Sequence, residues 1–212
     1  MNKAVNMLAK LKAHYGEDAF SVVKEDPFRV LISCILSQRT RDKNAEKAAN
    51  ALFAVASTAE EILALDPESI KKLIRPSGYY NQKTKHILGV CSEITKKFGG
   101  NTPRIREELL SLPGVGPKTA DIVLSYGYCE ASIAVDTHIY RTSKRLGLVR
   151  KESKHTEVKE TLESAFPSSD WMFADGALLQ LGKDFCKPKK PRCKECPLGK
   201  YCNEKSIQRS PT

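Results

Sequence analysis

Four cysteines lie within 17 residues near the C-terminus, and this spacing constrains the fold more than any other feature of the chain. They follow the pattern Cys-x6-Cys-x2-Cys-x5-Cys, at Cys186, Cys193, Cys196 and Cys202. Four thiolates in one loop form a soft ligand set that suits zinc or an iron–sulfur cluster. Disulfides are the alternative, but thiols inside cells are kept reduced and a Cys-x2-Cys pair binds metals readily. The loop is therefore predicted to hold a metal centre, with zinc and iron both open.

The composition indicates a globular protein. The 212 residues are 41% hydrophobic and 28% charged, which excludes disorder and suits one domain or two small ones. No apolar run approaches the roughly 18 residues of a membrane helix, and lysines interrupt any signal-peptide core at the N-terminus. The chain is expected to stay inside the cell, in the cytoplasm or with the nucleoid if prokaryotic. The three isolated cysteines, Cys34, Cys91 and Cys129, are each expected to be small buried hydrophobes.

The chain is basic, with 35 Lys and Arg against 25 Asp and Glu and a net charge of +10. A positive field attracts polyanions, chiefly nucleic acid, although a merely solvated basic surface is an equal alternative. The excess is concentrated in residues 183–209, which hold nine basic and three acidic side chains. Lys187, Lys189 and Lys190 lie between the cysteines. They are predicted either to face DNA phosphates or to balance the thiolate charge.

Apolar residues recur at helical spacing along nearly the whole chain, and the alternating pattern of strands is almost absent. Asp26-Pro27 and Asp66-Pro67 each place a capping carboxylate before a first-turn proline. An N-terminal helix is expected to bury Val5, Leu8, Leu11 and Tyr15. Further helices are predicted over 42–54, 58–65, 80–98, 104–111, 117–127, 137–147, 154–165 and 170–182. The predicted fold class is all-α.

A glycine-rich hairpin interrupts two of these helices, in the run LLSLPGVGPKT at residues 109–119. Pro113 and Gly114 suit the two central positions of a type II turn. Gly116 precedes Pro117, which opens the next helix. Without side chains at the glycines, the backbone can approach a ligand closely, and the free N–H groups of the helix start can bind phosphate. The pattern predicts a helix–hairpin–helix clamp for the DNA backbone.

Two charged residues follow the hairpin. Lys118 lies in the first turn of a helix, where a cation is unfavourable, so it either contacts phosphate or is a nucleophilic amine. Helix dipole, nearby cations and burial would lower the pKa of such an amine. Asp136 either caps a helix or supplies a carboxylate that stabilises oxocarbenium character at a sugar. Together the two residues suggest cleavage of an N-glycosidic bond.

At these positions the chain resembles the endonuclease III branch of the helix–hairpin–helix DNA glycosylases. LPGVGPKTADIVL resembles its hairpin, IAVDTHIYR its catalytic aspartate segment, and the cysteine run its [4Fe-4S] loop. SGYYNQKTKHI and ILSQRTRDKN are similar to two segments that approach the lesion. The resemblance covers nearly the whole chain.

The resemblance implies two helical lobes with a DNA cleft between them. One lobe is a six-helix barrel over residues 22–131, with the helix–hairpin–helix at about 104–127. The other combines residues 1–21 with 132–212 and holds a [4Fe-4S] cluster in the loop 186–202. The hairpin and Asp136 would meet at the mouth of the cleft. The resemblance therefore favours iron over zinc.

The resemblance also implies the activity, a bifunctional DNA glycosylase and AP lyase acting as a monomer on duplex DNA that carries oxidised pyrimidines or abasic sites. Lys118 would form a Schiff base at C1′ while Asp136 assists departure of the base, and β-elimination would cut 3′ to the lesion. Asp42 would help to order the pocket. The implied DNA contacts are Gly114, Val115, Gly116, Thr119, Gln38, Arg39, Tyr79, His138, Lys187, Lys189 and Lys190.

Two departures from the family pattern leave the lesion preference open. Arg39 stands where the bacterial pattern has glutamine, so either Gln38 or Arg39 would fill the gap left by a flipped nucleotide. Tyr79 occupies a wedge position where an apolar residue is common. Two other functions stay open: a monofunctional thymine or uracil mismatch glycosylase of the same fold, and a non-enzymatic iron–sulfur DNA-binding protein. The presence of Lys118 argues against both.

Overall fold

The computed structural model describes residues 3–21 and 24–202. Within these ranges the chain forms eleven α-helices and no β-strand, so the prediction of an all-α fold is confirmed. The helices are α1 (Lys3–Tyr15), α2 (Pro27–Ser37), α3 (Asp42–Phe53), α4 (Ala59–Leu63), α5 (Pro67–Ile74), α6 (Tyr80–Phe98), α7 (Arg106–Ser111), α8 (Pro117–Ile122), α9 (Thr137–Leu146), α10 (His155–Ala165) and α11 (Trp171–Asp184). No helix in the described part of the chain has the length and apolarity that a bilayer span requires. Residues 203–209 of the basic stretch lie outside the described residues.

Contacts between Cα atoms divide the chain into two compact units. One unit is Val23–Glu130 and contains α2 to α8, and its core centres on fully buried side chains of α2 and α6 such as Ile35 and Ile87. The other combines Met1–Val22 with Ala131–Thr212 and contains α1 and α9 to α11. Its core brings together residues distant in sequence, such as Leu11 of α1 and Leu181 of α11.

The two predicted helix starts are confirmed. The Asp26 carboxylate accepts a hydrogen bond of 2.8 Å from the Arg29 amide at the start of α2. Asp66 caps α5 in the same way, accepting from the amides of Glu68 and Ser69 at 3.0 and 3.1 Å. In both helices a proline with no amide hydrogen takes the first position, where an N–H would have no partner within the helix.

Some sequence expectations are wrong in detail. Val5 is 39% exposed, and the buried face of α1 is instead formed by residues at the shifted helical spacing Ala4, Met7, Leu8 and Leu11. Cys129 is exposed rather than buried, and it lies just after the last helical turn of its unit with φ of 55°. Cys91 is buried as predicted and Cys34 is half-buried. The predicted helix 117–127 is helical throughout, as α8 up to Ile122 and then as a π-helical turn over Val123–Gly127.

Candidate functional site

The hairpin between α7 and α8 is closed by a hydrogen bond of 3.1 Å from the Val115 amide to the Leu112 carbonyl. Gly114 has φ of 76°, as the third position of a type II turn requires. A Cβ atom there would lie 2.4 Å from Nδ1 of His86, so both conformation and space exclude a side chain. At Gly116, apart from its chain neighbours, no atom of the described residues lies within 4 Å of the equivalent position, which leaves that side of the backbone open. The predicted turn is confirmed. Gly114 is required by the backbone conformation and the neighbouring His86, whereas Gly116 leaves room for a ligand to approach the backbone.

Lys118 is the second residue of α8, as predicted, and Gly116 caps that helix without a side-chain hydrogen bond. The lysine is exposed, so the expectation that it is buried is wrong. Its ammonium group acts on the nearby Cys34 of α2. Burial raises the pKa of the Cys34 thiol to about 12, with Lys118 opposing this shift and the Glu25 carboxylate adding to it. The lysine is thus exposed to solvent and close enough to α2 for its charge to act on Cys34.

Val115 and Thr119 are buried, so these two predicted DNA contacts offer little surface to a ligand. Val115 packs in the core of its unit. Contact of DNA with these two positions stays a prediction.

The two segments that resemble lesion contacts each contain a strained residue. Arg39, after α2, has φ of 53°, and Tyr79, before α6, has φ of 48° and is 60% exposed. Left-handed backbone is costly for residues other than glycine and is concentrated at functional loops. The neighbouring Gln38 behaves differently, because its side-chain amide donates a hydrogen bond of 2.9 Å to the Gly114 carbonyl in the hairpin.

Asp136 is the N-cap of α9. One oxygen, Oδ1, accepts hydrogen bonds of 2.8 Å from the amides of both His138 and Ile139. Another carboxylate of the same unit holds the chain just before it, because Asp175 accepts a hydrogen bond of 2.7 Å from the Ala134 amide. The capping interpretation of Asp136 is therefore confirmed, and its carboxylate is held in one orientation while remaining half-exposed.

Helix α9 also holds the cysteine loop through two arginines that sequence reasoning missed. Arg141 lies beside His138 and donates to the Cys186 carbonyl at 2.8 Å. One turn later, Arg145 donates to the Lys187 carbonyl at 2.8 Å, and its guanidinium lies 3.6 Å from the Cys186 sulfur. Their spacing of four residues in IYRTSKR, on one face of a helix, is the signal that could have revealed them. The start of the loop is thus held by hydrogen bonds that two arginine side chains of α9 donate to the loop's backbone carbonyls.

The four cysteines line a single pocket together with apolar side chains that include Leu181 and Phe185. Burial, together with charge on the other three cysteines, raises the pKa of the Cys196 thiol to about 11, against an opposing hydrogen bond from the Leu198 backbone. Within residues 3–21 and 24–202, no three His, Cys, Asp or Glu side chains form a group that could hold a single metal ion. Four thiolates on one zinc ion would lie about 4 Å apart.

A buried hydroxyl gives a further indication of what the pocket can hold. Thr142 of α9 lines the pocket, and its Oγ1 is buried with no hydrogen-bond partner among the described residues. Buried hydroxyl groups normally have a partner. Four thiols in one apolar pocket, with Thr142 among the lining residues, are a donor set that a sulfur-ligated cluster would fit.

The loop between the cysteines presents its lysines to solvent. Lys187, Lys189 and Lys190 are all exposed, and Lys190 is held at φ of 50°. Arg192, by contrast, is bound to Glu195, with Nε 3.1 Å from Oε1. The three lysines therefore supply most of the outward positive charge at the beginning of the loop.

Comparisons with known proteins agree with this architecture. The family pattern of HhH-GPD superfamily base excision DNA repair proteins matches residues 32–168. Endonuclease III of Thermotoga maritima is 46% identical over 84% of this chain and 83% of its own length. The structure of a trapped endonuclease III–DNA covalent intermediate matches with a TM-score of 0.89 at 32% identity, covering 99% of this chain and 100% of that one. The structure of a thermostable thymine-DNA glycosylase matches with a TM-score of 0.85 at 25% identity, covering 95% of both chains.

The hairpin, its lysine and the match over most of the chain define a helix–hairpin–helix enzyme of DNA repair. The chain belongs to the HhH-GPD superfamily of base excision DNA repair proteins. Within that superfamily its relatives are endonuclease III proteins, and it shares their fold.

Proposed function

We propose that this repair enzyme is a bifunctional DNA glycosylase and AP lyase that removes oxidised pyrimidines from duplex DNA and then cuts the strand. The observation that carries the proposal is the exposed Lys118 amine directly after the open side of a glycine hairpin. An amine in that position can form a covalent bond to a sugar carbon. The similarity to a trapped endonuclease III–DNA covalent intermediate supports this chemistry.

In the proposed reaction, the damaged nucleotide leaves the base stack, and neutral Lys118 Nζ forms a bond to C1′. The N-glycosidic bond breaks, and its electron pair leaves with the base. The Asp136 carboxylate balances the positive charge that develops on the sugar ring. Nζ gives up one proton, the ring oxygen O4′ takes one up as its bond to C1′ breaks, and an iminium ion forms between Lys118 and C1′. A C2′ proton is then lost to water, the electron pair it leaves expels the 3′ phosphate, and hydrolysis of the iminium by water releases the amine.

We assign the DNA contacts accordingly. Backbone amides at Gly114, Gly116 and Thr119 would bind phosphate oxygens, and Val115, whose amide closes the turn by donating to the Leu112 carbonyl, would contact DNA as part of the hairpin. Tyr79 would act as an aromatic wedge at the gap. Since Gln38 donates to the hairpin backbone, we assign filling of the gap to Arg39, which is exposed. His138 would contact DNA beside Asp136, and Asp42 would order the start of α3.

We further propose that residues 22–131 act as the barrel domain with the hairpin, and that residues 1–21 with 132–212 act as the cluster domain. The division into two compact units close to these boundaries supports the assignment. The enzyme would act as a monomer on duplex DNA with damaged bases or abasic sites. Because the reported relatives are bacterial, we place it in the cytoplasm with the nucleoid.

The four cysteines of the loop would hold a [4Fe-4S] cluster, as the family resemblance implies. A cluster binds each thiolate through a different iron, so its sulfur ligands lie farther apart than those of one zinc ion. This agrees with four cysteines that line one pocket without forming a single-ion site among the described residues. The cluster would hold the loop together, and no chemical step at the sugar is assigned to it.

Replacing Cys202 by serine should remove the cluster and weaken binding to duplex DNA, because the lysine loop loses its anchor. The wild-type protein should be brown with four irons per chain, and the variant should lose both the visible absorbance and the iron. Cys129→Ser, at an exposed cysteine outside the loop, is the matched control and should keep both. A colourless wild-type protein, prepared without oxygen and containing one zinc, would overturn the cluster assignment.

Reversing Lys187, Lys189 and Lys190 to glutamate should weaken binding to all duplexes alike, because phosphate contacts carry no sequence information. Each phosphate contact contributes about 0.9 to the slope of log K against log salt. Loss of three contacts should therefore make that slope shallower by about three. Binding is measured by fluorescence anisotropy at several salt concentrations. If affinity and slope are unchanged while the visible spectrum is intact, the loop does not contact DNA.

A panel of duplexes tests the activity itself. The enzyme should nick duplexes that contain thymine glycol or an abasic site, and should leave undamaged duplex intact. The second candidate function is a mismatch glycosylase, favoured by the similarity to a thymine-DNA glycosylase structure. That activity would release thymine or uracil from a mismatch and leave an abasic strand uncut, so nicking of the abasic duplex decides between them.

A further inference from the structure

Lys83 is a buried lysine in the first turn of α6 that the proposed chemistry does not use. Only 3% of its surface is exposed, and burial lowers the pKa of its ammonium group to about 8. The positive end of the helix dipole also disfavours a cation there. Burial of a charged group is costly unless its hydrogen bonds are satisfied, so the partners of this lysine indicate its use.

The Lys83 ammonium group has three hydrogen-bond acceptors from three different places. Its Nζ donates to the Leu36 carbonyl at 2.6 Å, to the Thr40 hydroxyl at 2.8 Å and to the Ser77 carbonyl at 2.9 Å. The Thr40 hydroxyl also contacts the Ser77 carbonyl. One side chain therefore joins the last turn of α2, the loop that follows it, and the turn before α6. All three N–H groups are used, and a neutral or shorter side chain could not make the same set of bonds.

These partners flank the strained residues of the site. Residues 37–40 and 77–79, the tip segments, contain Arg39 and Tyr79, both with positive φ. A residue other than glycine keeps this conformation only where its surroundings impose it. Burial does not hold either residue in place, since Arg39 and Tyr79 are both exposed. The bonds from Lys83 to the backbone or side chain of both segments are well placed to impose it.

We propose that Lys83 is a positioning residue that holds the two tip segments in one arrangement and thereby sets how efficiently a damaged base is extruded. The inference rests on the proposed function, in which Arg39 and Tyr79 enter the duplex at the lesion. An abasic sugar has no base to displace and leaves the stack easily. The tip segments therefore matter more for releasing a base than for cutting at a preformed abasic site.

The test is Lys83→Met, which keeps the length of the side chain and removes its N–H groups. Because small displacements of positioning groups are costly, kcat/KM on thymine glycol duplex should fall about tenfold or more. The rate of cutting a preformed abasic duplex should change much less. Lys96→Met is the matched control, since Lys96 is exposed near the other end of α6, and it should match wild type on both substrates.

A spectroscopic measurement separates positioning from chemistry. A duplex with a tetrahydrofuran abasic analogue opposite 2-aminopurine cannot be cleaved through a Schiff base, and the fluorescence of the 2-aminopurine reports its stacking. Saturating wild-type protein should change this fluorescence as the tip segments displace the orphaned base. Lys83→Met at saturation should give a clearly smaller change. Thr40→Val is the second variant, to be used if Lys83→Met does not fold. It removes one hydrogen-bond acceptor of Lys83 and leaves the buried charge in place. It should lower both kcat/KM on the thymine glycol duplex and the fluorescence change.

Equal losses on the two cleavable substrates, or an unchanged fluorescence response in a folded variant, would refute the positioning role. The same holds if Thr40→Val leaves both readouts at the wild-type level when Lys83→Met is unfolded. Failure of the proposed function is recognised separately, because then the wild-type protein itself would cut neither the thymine glycol duplex nor the abasic duplex.

Discussion

Lys118→Gln should lower strand cleavage and borohydride trapping by about three orders of magnitude or more, because it removes the attacking amine. An iminium ion between Lys118 and C1′ is reduced by borohydride to a stable amine. Wild-type protein should therefore become covalently linked to lesion DNA, and the linked peptide should contain Lys118. Since the side chain is exposed on α8 and glutamine is of similar length, folding and duplex binding should largely survive.

Lys96→Gln makes the same change of charge at an exposed position of the same unit and should trap DNA as wild type does. Comparing the two variants separates loss of the nucleophile from loss of one positive charge. If Lys118→Gln still traps and nicks at the wild-type rate, Lys118 is only a phosphate contact, and the assigned mechanism is wrong.

Asp136→Asn should slow release of a damaged base roughly a hundredfold or more, because a neutral amide cannot balance the charge that develops on the sugar. This variant should remove the negative charge while keeping the helix cap. Asparagine caps helices as well as aspartate does, so its side-chain oxygen can still accept from the amides of His138 and Ile139. Thermal stability and duplex binding should therefore stay near wild type while the rate of base release falls.

The defect of Asp136→Asn should be smaller on a preformed abasic site, since the base has already gone. Asp66→Asn is the matched control, because Asp66 also caps a helix by accepting from two amides and is exposed. It should leave both activities unchanged. Base release that stays at the wild-type rate in Asp136→Asn would show that Asp136 only caps α9.

Much of the fold could be predicted because the signals are local. The Asp-Pro helix starts at residues 26 and 66 depend on adjacent residues, and both are present as expected. The turn at Gly114 likewise follows from the conformational freedom of glycine in a short sequence. The predictions that were wrong concern which side chains are buried, because burial depends on packing between elements. Val5 fits a helical apolar pattern as well as Met7 does, and only the neighbouring elements determine which of the two is buried.

In the candidate site, too, some features could be predicted from the sequence and others depend on the tertiary structure. The identities of Lys118 and Asp136 and the spacing of the cysteines are carried by the sequence. The exposure of Lys118 is not, and the expected burial was wrong. Lys83, Arg145 and the bond from Gln38 to Gly114 also escaped prediction, because each joins segments far apart along the chain.

By itself, then, the sequence determined the all-helical class, the helix starts, the hairpin turn and the kinds of chemical group available, since these depend on backbone preferences and side-chain chemistry within a few residues. Only the tertiary structure decided which groups are anchored. It bound Gln38 to the hairpin while Arg39 stayed exposed, and it placed the Lys83 ammonium group between two strained segments. Hydrogen bonds between distant segments depend on how the helices pack, and no local pattern specifies that packing.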